Sequence, residues 1–278
     1  MMAIARAAVA ALLVFGVPGF VLSATKEPEL RVCADPNNLP FSNEAGQGFE
    51  NAIAELVAEE MGARLVYTWW PQERGFLRKT LNAGKCDVVM GLPSDYELAE
   101  TTQPYYQSSY VFVYRKDSGL DLHTLQDPRL RSLKIGVTLI GDDGVNTPPA
   151  HALGELGIVD NVVGYMVYGD SDDPQRQAEI VHAVADGELD TAAIWGPVAG
   201  YYARRSSVPL QVEPITGTAA FRPFVFSYAI SMGVRHGDDG LRDKLNGILD
   251  RNAGRIAAIL RDYGVPLSSE TDGEEAVK

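Results

Sequence analysis

The sequence predicts an α/β protein built as two similar lobes facing each other across a cleft. Two stretches carry that prediction. Residues 73–92, ERGFLRKTLNAGKCDVVMGL, read as a helix, a glycine turn and a buried strand. Phe76, Leu77, Thr80 and Leu81 recur at helical spacing, Gly84 stands where a helix end favours a left-handed residue, and 86–92 is a short apolar run. Residues 178–197 repeat the plan: Ile180, Val181, Val184 and Ala185 precede Gly187, and a second apolar run covers 189–194. Short runs that are apolar on both faces suit parallel strands covered by helices. In open sheets of that kind the ligand sits in the loops at the carboxyl ends of the strands.

The 278 residues allow one large domain or two of ordinary size, and 46% apolar residues are enough to fill two cores. The first residues read as a secretory leader over 1–24: Arg6 is the only charge before Lys26, 7–17 is apolar, and Ser23 and Ala24 are small. The expected location is therefore the periplasm, soluble after leader removal. No later stretch has the roughly 20 apolar residues of a membrane span. Cys33 lies beyond the charged Lys26 and Glu27, too far along to serve as a lipidated residue. A formal net charge of −13 argues against nucleic acid or an anionic membrane as partner. Two cysteines in an exported chain favour a structural Cys33–Cys86 bridge, and neighbouring parallel strands put the two within reach. No C-x-x-C pair offers redox chemistry.

Taken in order, 30–34 reads as the first strand and 35–42 as a polar loop stiffened by Pro36 and Pro40. An amphipathic helix follows over 48–61, with Phe49, Ile53, Leu56, Val57 and Met61 on one face and Gly62 at its end. A second strand covers 64–69 and ends in the loop 70–75. After the first helix–glycine–strand unit, the aromatic and β-branched run 105–114 reads as a crossover into the second lobe. There 133–139 is a strand, 150–156 a helix, 162–167 a strand, 174–185 a helix capped by Asp173, 189–194 a strand and 198–204 a helix. A second crossover covers 224–232. Two terminal helices are expected over 240–249 and 254–263, each begun by a glycine, before an acidic tail over 268–278. The expected lobes are 25–111 with 223–267, and 112–222.

The chain resembles the periplasmic solute-binding proteins of the amino-acid-binding type. The residues carrying this are Leu30-Arg31-Val32, Gly48-Phe49, AGKCDVV at 83–89, Pro104-Tyr105 and Tyr228-Ala229-Ile230. The resemblance implies the type II two-lobe fold, with lobes joined by two crossover strands. RVCADPNNLPFS at 31–42 and YTWWPQERGF at 67–76 resemble one branch more narrowly, the J-type (MoxJ/XoxJ) proteins associated with quinoprotein methanol dehydrogenase. That implies a periplasmic accessory of methanol oxidation whose partner is a PQQ-dependent methanol dehydrogenase, with no cofactor of its own.

Amino-acid-binding members carry an Arg after the first core strand, which grips the ligand carboxylate with a two-pronged fork. In this sequence DYELA at 95–99 puts Leu98 there. Such members carry an Asp after the second core strand for the ligand ammonium, and here Trp195 stands there. In a shifted alignment Asp95 or Arg74 substitutes for the missing anchor. The remaining reading is an aromatic, mostly apolar cleft whose candidate lining is Asn37, Phe41, Trp70, Arg74, Asp95, Tyr96 and Trp195. Trp69 and Trp70 point to opposite faces by strand alternation, so one packs in the core. Such a cleft suits an apolar segment of a partner protein; the alternative is a transport binding protein for a small neutral molecule. Enzyme signals are weak, because His123, His151, His182 and His236 show no zinc spacing and no G-x-S-x-G elbow occurs. The run 141–144 resembles a phosphate or metal loop but has no P-loop Lys-Ser/Thr, and 170–173 lacks the Gly and the final Glu of a calcium loop.

Overall fold

The computed structural model describes residues 27–140, 146–166 and 176–268. The expected leader, the acidic runs at 141–144 and 170–173, the Asp173 cap and most of the acidic tail lie outside the described residues. The first elements are β1 (Glu29–Ala34), β2 (Asn37–Asn38), β3 (Ser42–Asn43), α1 (Phe49–Met61), β4 (Arg64–Trp69), α2 (Phe76–Lys79), β5 (Val88–Pro93) and β6 (Glu100–Thr101). They continue with β7 (Tyr106–Arg115), β8 (Ile135–Leu139), α3 (Pro148–Glu155), β9 (Val162–Met166), α4 (Glu179–Ala185), β10 (Thr191–Trp195) and α5 (Gly196–Arg205). The chain ends with β11 (Leu210–Pro214), β12 (Ser227–Val234) and α6 (Asp239–Asp262).

The strands run β4-β1-β5-β12-β7-β10-β8-β9, with β11 beside β7 and β6 beside β12. In the first lobe β1 pairs in parallel with β4 and β5; in the second, β8 pairs in parallel with β9 and β10. β7 joins the lobes. Its residues 106–109 pair with β12, and Val111–Tyr114 pair with both β10 and β11. β12 returns the chain to the first lobe, pairing with β7 over 227–230 and with β5 beyond. The two crossover strands thus lie side by side and antiparallel.

Each sheet is covered on both faces. Leu30, Val32, Val88 and Met232 pack under α1 and α6, against Phe49, Ile53, Ile248 and Ile256. The opposite face of the first lobe holds a smaller cluster of Phe76, Leu77 and Leu81 around Cys33 and Cys86. These cysteines form a disulfide with Cα atoms 5.5 Å apart. In the second lobe Ile180, Val184 and Ala199 cover one face and Leu130, Ile135 and Leu153 the other.

Several local expectations are corrected. The two terminal helices are one, α6, which runs through Gly247 and Gly254. A helical glycine costs about 1 kcal/mol, but the stripe Leu245, Ile248, Leu249, Asn252, Ile256 and Leu260 is continuous and buried. That burial exceeds the propensity cost. Asn252 fits the stripe because its amide donates to the Ile248 carbonyl one turn back. The helix expected over 174–185 is regular only from Glu179, after a turn over 176–178. α2 is a single turn before the chain loops to Gly84, which has φ +71°. The polar loop after β1 contains the β2–β3 hairpin, and β11 was not anticipated.

Candidate functional site

A cavity of about 650 Å³ opens between the lobes, where the carboxyl ends of β1, β5, β8 and β10 meet the crossover strands. Its geometry starts at Gly48. A Cβ on Gly48 would fall 2.0 Å from the Phe41 carbonyl oxygen, so only glycine lets the 40–42 turn lie directly on the start of α1. There the Phe49 N–H donates to the Pro40 carbonyl at 2.8 Å and the Glu50 N–H to the Phe41 carbonyl at 2.9 Å. The Asn51 side chain caps the same turn, accepting from the Gly48 and Asn43 N–H groups at 3.0 Å. This packing places Phe41 and Glu50 together in the wall.

Trp195, the last residue of β10, lies opposite Tyr110 of β7 in the ladder. Its ring meets Tyr110 edge-on at 5.4 Å and Tyr228 at 5.8 Å, and it packs against three of the apolar clusters at once. It is therefore both wall and junction between lobes. A polar strap crosses one side: Gln177 donates to the Asn38 side chain at 3.1 Å, and Asn38 donates to Gln72 at 2.9 Å. The Tyr202 hydroxyl donates to the Leu39 carbonyl at 3.2 Å. On the second-lobe side the His151 ring stacks on Phe224 at 4.8 Å, and its Nε2 accepts from the Asn146 N–H.

Of the residues expected to line the cleft, the structure brings Phe41 and Trp195 into the wall. Asn37, Trp70, Arg74, Asp95 and Tyr96 are not in the wall. Asn37 belongs to the β2–β3 hairpin, beside Asn38, which does face the cavity. Trp70 packs on the disulfide cluster with the Lys85 ammonium 3.9 Å above its ring, while Trp69 stacks on Tyr67 at 4.4 Å. Alternation separates the two tryptophans as expected, but neither face of β4 is the cavity. Arg74 is exposed in the loop before α2. Asp95 and Tyr96 are exposed in a surface turn, where Asp95 has φ +60° and donates its N–H to Thr101. Leu98 packs on the disulfide cluster.

The wall is largely apolar and aromatic, yet it is not uncharged. Asp35, Glu50 and Arg176 line it, and sequence reasoning passed over all three. Asp35 is nearly buried, and its two oxygens accept from the Asn37 and Gln72 N–H groups at 2.8 and 2.6 Å. Glu50 is half-buried, and burial pushes its carboxyl up to about 8. An acid in the first turn of a helix reads as ordinary dipole complementation, so residue type and position alone do not mark Glu50 as facing the cavity. The hydroxyls of Ser42 and Thr147 donate to main-chain carbonyls, which removes them as poised nucleophiles. Among the described residues no group of three or more His, Cys, Asp and Glu side chains could hold a metal ion. None of the described helices is long and apolar enough to cross a membrane.

Two α/β lobes joined by paired crossover strands, with a walled cavity at the junction, define a two-lobe binding protein. The chain belongs to the bacterial extracellular solute-binding proteins, family 3, whose model matches residues 30–265. Within that family it falls in the J-type branch. It is 34% identical to Protein MoxJ of Methylorubrum extorquens over 249 residues, 86% of this chain and 81% of that one. It is 31% identical to Protein MoxJ of Paracoccus denitrificans over 256 residues, 86% of this chain and 88% of that one. Among solved structures, the periplasmic binding protein XoxJ from Methylobacterium extorquens AM1 superposes with a TM-score of 0.71 at 38% identity. That match covers 87% of this chain and all of the other.

Proposed function

We propose that this chain is a non-enzymatic periplasmic accessory of methanol oxidation that engages a PQQ-dependent methanol dehydrogenase and aids its assembly or activation. The lobes are 25–111 with 223–267, and 112–222, and the partner segment enters the cavity between them. The observation that carries the reading is Trp195. Its aromatic ring, joined to three apolar clusters, lines the cavity at the end of β10, at the position where the resemblance to amino-acid binders implies an acidic anchor. The wall around it favours burial of apolar surface, with Trp and Tyr as anchors. Val225 is half-exposed at the cavity wall and extends the apolar surface outward. One observation favours the alternative, a transport binding protein for a small molecule: about 650 Å³ is an ordinary volume for a small-ligand site.

The test is capture of purified apo and holo methanol dehydrogenase by the mature protein, alongside a thermal-shift screen of small metabolites. Trp195→Ala is expected to weaken capture at least tenfold. Because Trp195 also packs in the lobes, Val225→Glu serves as a surface variant that leaves the cores intact and is expected to weaken capture as well. Capture unchanged in both variants refutes entry through the cavity. A strong shift with one metabolite and no capture returns the chain to transport.

A further inference from the structure

Asp35 and Glu50 share one wall but differ in what they touch. Both oxygens of Asp35 are held by backbone N–H groups. Glu50 makes no side-chain hydrogen bond or ion pair among the described residues. Its carboxylate lies over β5, with Oε1 2.2 Å from where a Cβ on Gly91 would stand, so Gly91 makes the room it occupies. The buried hydroxyls of Tyr67, Tyr105 and Tyr106 lie within its electrostatic reach, and none of them is a cation. The described lining contains one basic side chain besides His151, Arg176, and it has a partner already. Drawn out of water with no counter-charge, this carboxyl keeps its proton up to about pH 8; a cation seated on it favours the ionised form, and among the described residues no side chain takes that place.

The rest of the wall indicates what kind of counter-charge fits. A hard metal ion needs several oxygen ligands; both Asp35 oxygens already accept from backbone N–H groups, which leaves Glu50 alone beside apolar side chains. An organic cation needs one anion, aromatic faces and room for a hydrocarbon body. Tyr106, Tyr110, Trp195 and Tyr228 supply the faces, and Met90 and Ile230 the apolar surface. We propose that the cavity recognises an alkylammonium group, seated on Glu50, with its apolar body against the aromatic wall. The inference rests on the reading of this cavity as the binding site. The group belongs either to a free amine or to a lysine side chain of the partner segment, and the experiment separates the two.

The mature protein and Glu50→Gln are titrated calorimetrically with n-butylammonium, phenethylammonium and tetramethylammonium, and with the neutral isosteres n-butanol and 2-phenylethanol. Wild type is expected to prefer at least one ammonium over its isostere by tenfold or more. Glu50→Gln is expected to abolish the preference while keeping the fold, and Glu50→Asp to retain part of it. Equal binding of amine and alcohol, no ammonium binding, or a preference that survives in Glu50→Gln overturns the proposal. Dehydrogenase capture is then repeated with Glu50→Gln and with phenethylammonium as competitor. Loss of capture in both identifies a lysine of the partner, whereas unchanged capture identifies a free amine. Amine binding without any capture sinks the accessory reading and leaves this one standing.

Discussion

The seam behind the cavity and the cavity itself are built on opposite plans. At the seam α5 lies against the end of α6, and a Cβ on Gly200 would fall 1.9 Å from the Gly264 carbonyl oxygen. The Arg204 guanidinium donates to the Arg261 carbonyl and the Ser108 hydroxyl to the Pro266 carbonyl, each at 2.6 Å. Tyr201 and Tyr263 stack across it at 5.9 Å. There the polar groups named are matched and no room is left for a methyl group. In the cavity the Glu50 carboxyl stands beside open volume with no hydrogen-bond or ion-pair partner among the described residues. The contrast separates what holds the lobes from what is kept available for a ligand: packing density fixes the first, and an acid without a hydrogen-bond partner in an apolar wall marks the second.

The largest expected effect breaks the seam. Gly200→Ala forces backbone against backbone, since the obstructing atom is a carbonyl oxygen rather than a flexible side chain. It is expected to cost about 3 kcal/mol in denaturant unfolding, with amine binding at Glu50 retained in the folded fraction. A loss near zero would show that the seam yields.

A smaller effect is expected at Asp87, which ties β1 to β5 and β12. Arg31 grips it with two hydrogen bonds at 2.6 and 2.8 Å, and Arg235 adds a third at 2.9 Å. Burial pushes the Asp87 carboxyl up, but the hydrogen bonds from Arg31 and Arg235 outweigh it and hold the group below its ordinary range. A folded pKa below the unfolded value means that the stabilisation is complete above about pH 4. It is lost as pH falls through the folded value. Asp87→Asn is expected to cost about 2 kcal/mol at pH 7, allowing for solvent screening of partly exposed arginines, and to flatten the acid limb of the stability curve. An unchanged acid limb would contradict the assignment.

The smallest effect has the opposite sign and sharpens the comparison from the cavity side. Glu50 is raised to about 8 by burial, so the folded protein holds a proton there that the unfolded chain releases near pH 4. Stability from this group is full at low pH and declines as pH rises toward 8. Tyr67, Tyr105 and Tyr106 face it, and their own burial pushes them up, so they stay neutral across this range. Glu50→Gln is expected to remove the decline and to gain about 1 kcal/mol at pH 8, discounted because the carboxylate borders open volume. Parallel pH curves for the two proteins would refute the partnerless carboxylate.

The lobes were legible because hydrophobic periodicity is local. The helix–glycine–strand units around Gly84 and Gly187 and the two crossover runs each announce themselves within a short window. The disulfide was legible from compartment and strand adjacency, and β1 and β5 do pair beside it. The break expected between two terminal helices was a propensity argument, and burial of a continuous stripe in α6 overrode it. The candidate site was only half legible. Position after a strand found Phe41 and Trp195, because loops at carboxyl ends of strands are where such sheets bind. It also drew in Trp70 and Asp95, because a loop position says nothing about which way its side chains turn. Glu50 and Arg176 carried no signal, since an acid in a first helical turn and a base beside a helix are ordinary solvent-facing choices.

The sequence by itself determined the fold class and the branch of the family, because these are matters of residue type and local order. Only the tertiary structure decided which charges enter the cavity. That depends on Gly48 letting the 40–42 turn sit on α1 and on Gly91 leaving space above β5. The first is a contact across a turn and the second joins segments far apart in the chain; in each the room left by a missing Cβ in one element sets the direction of a side chain in another.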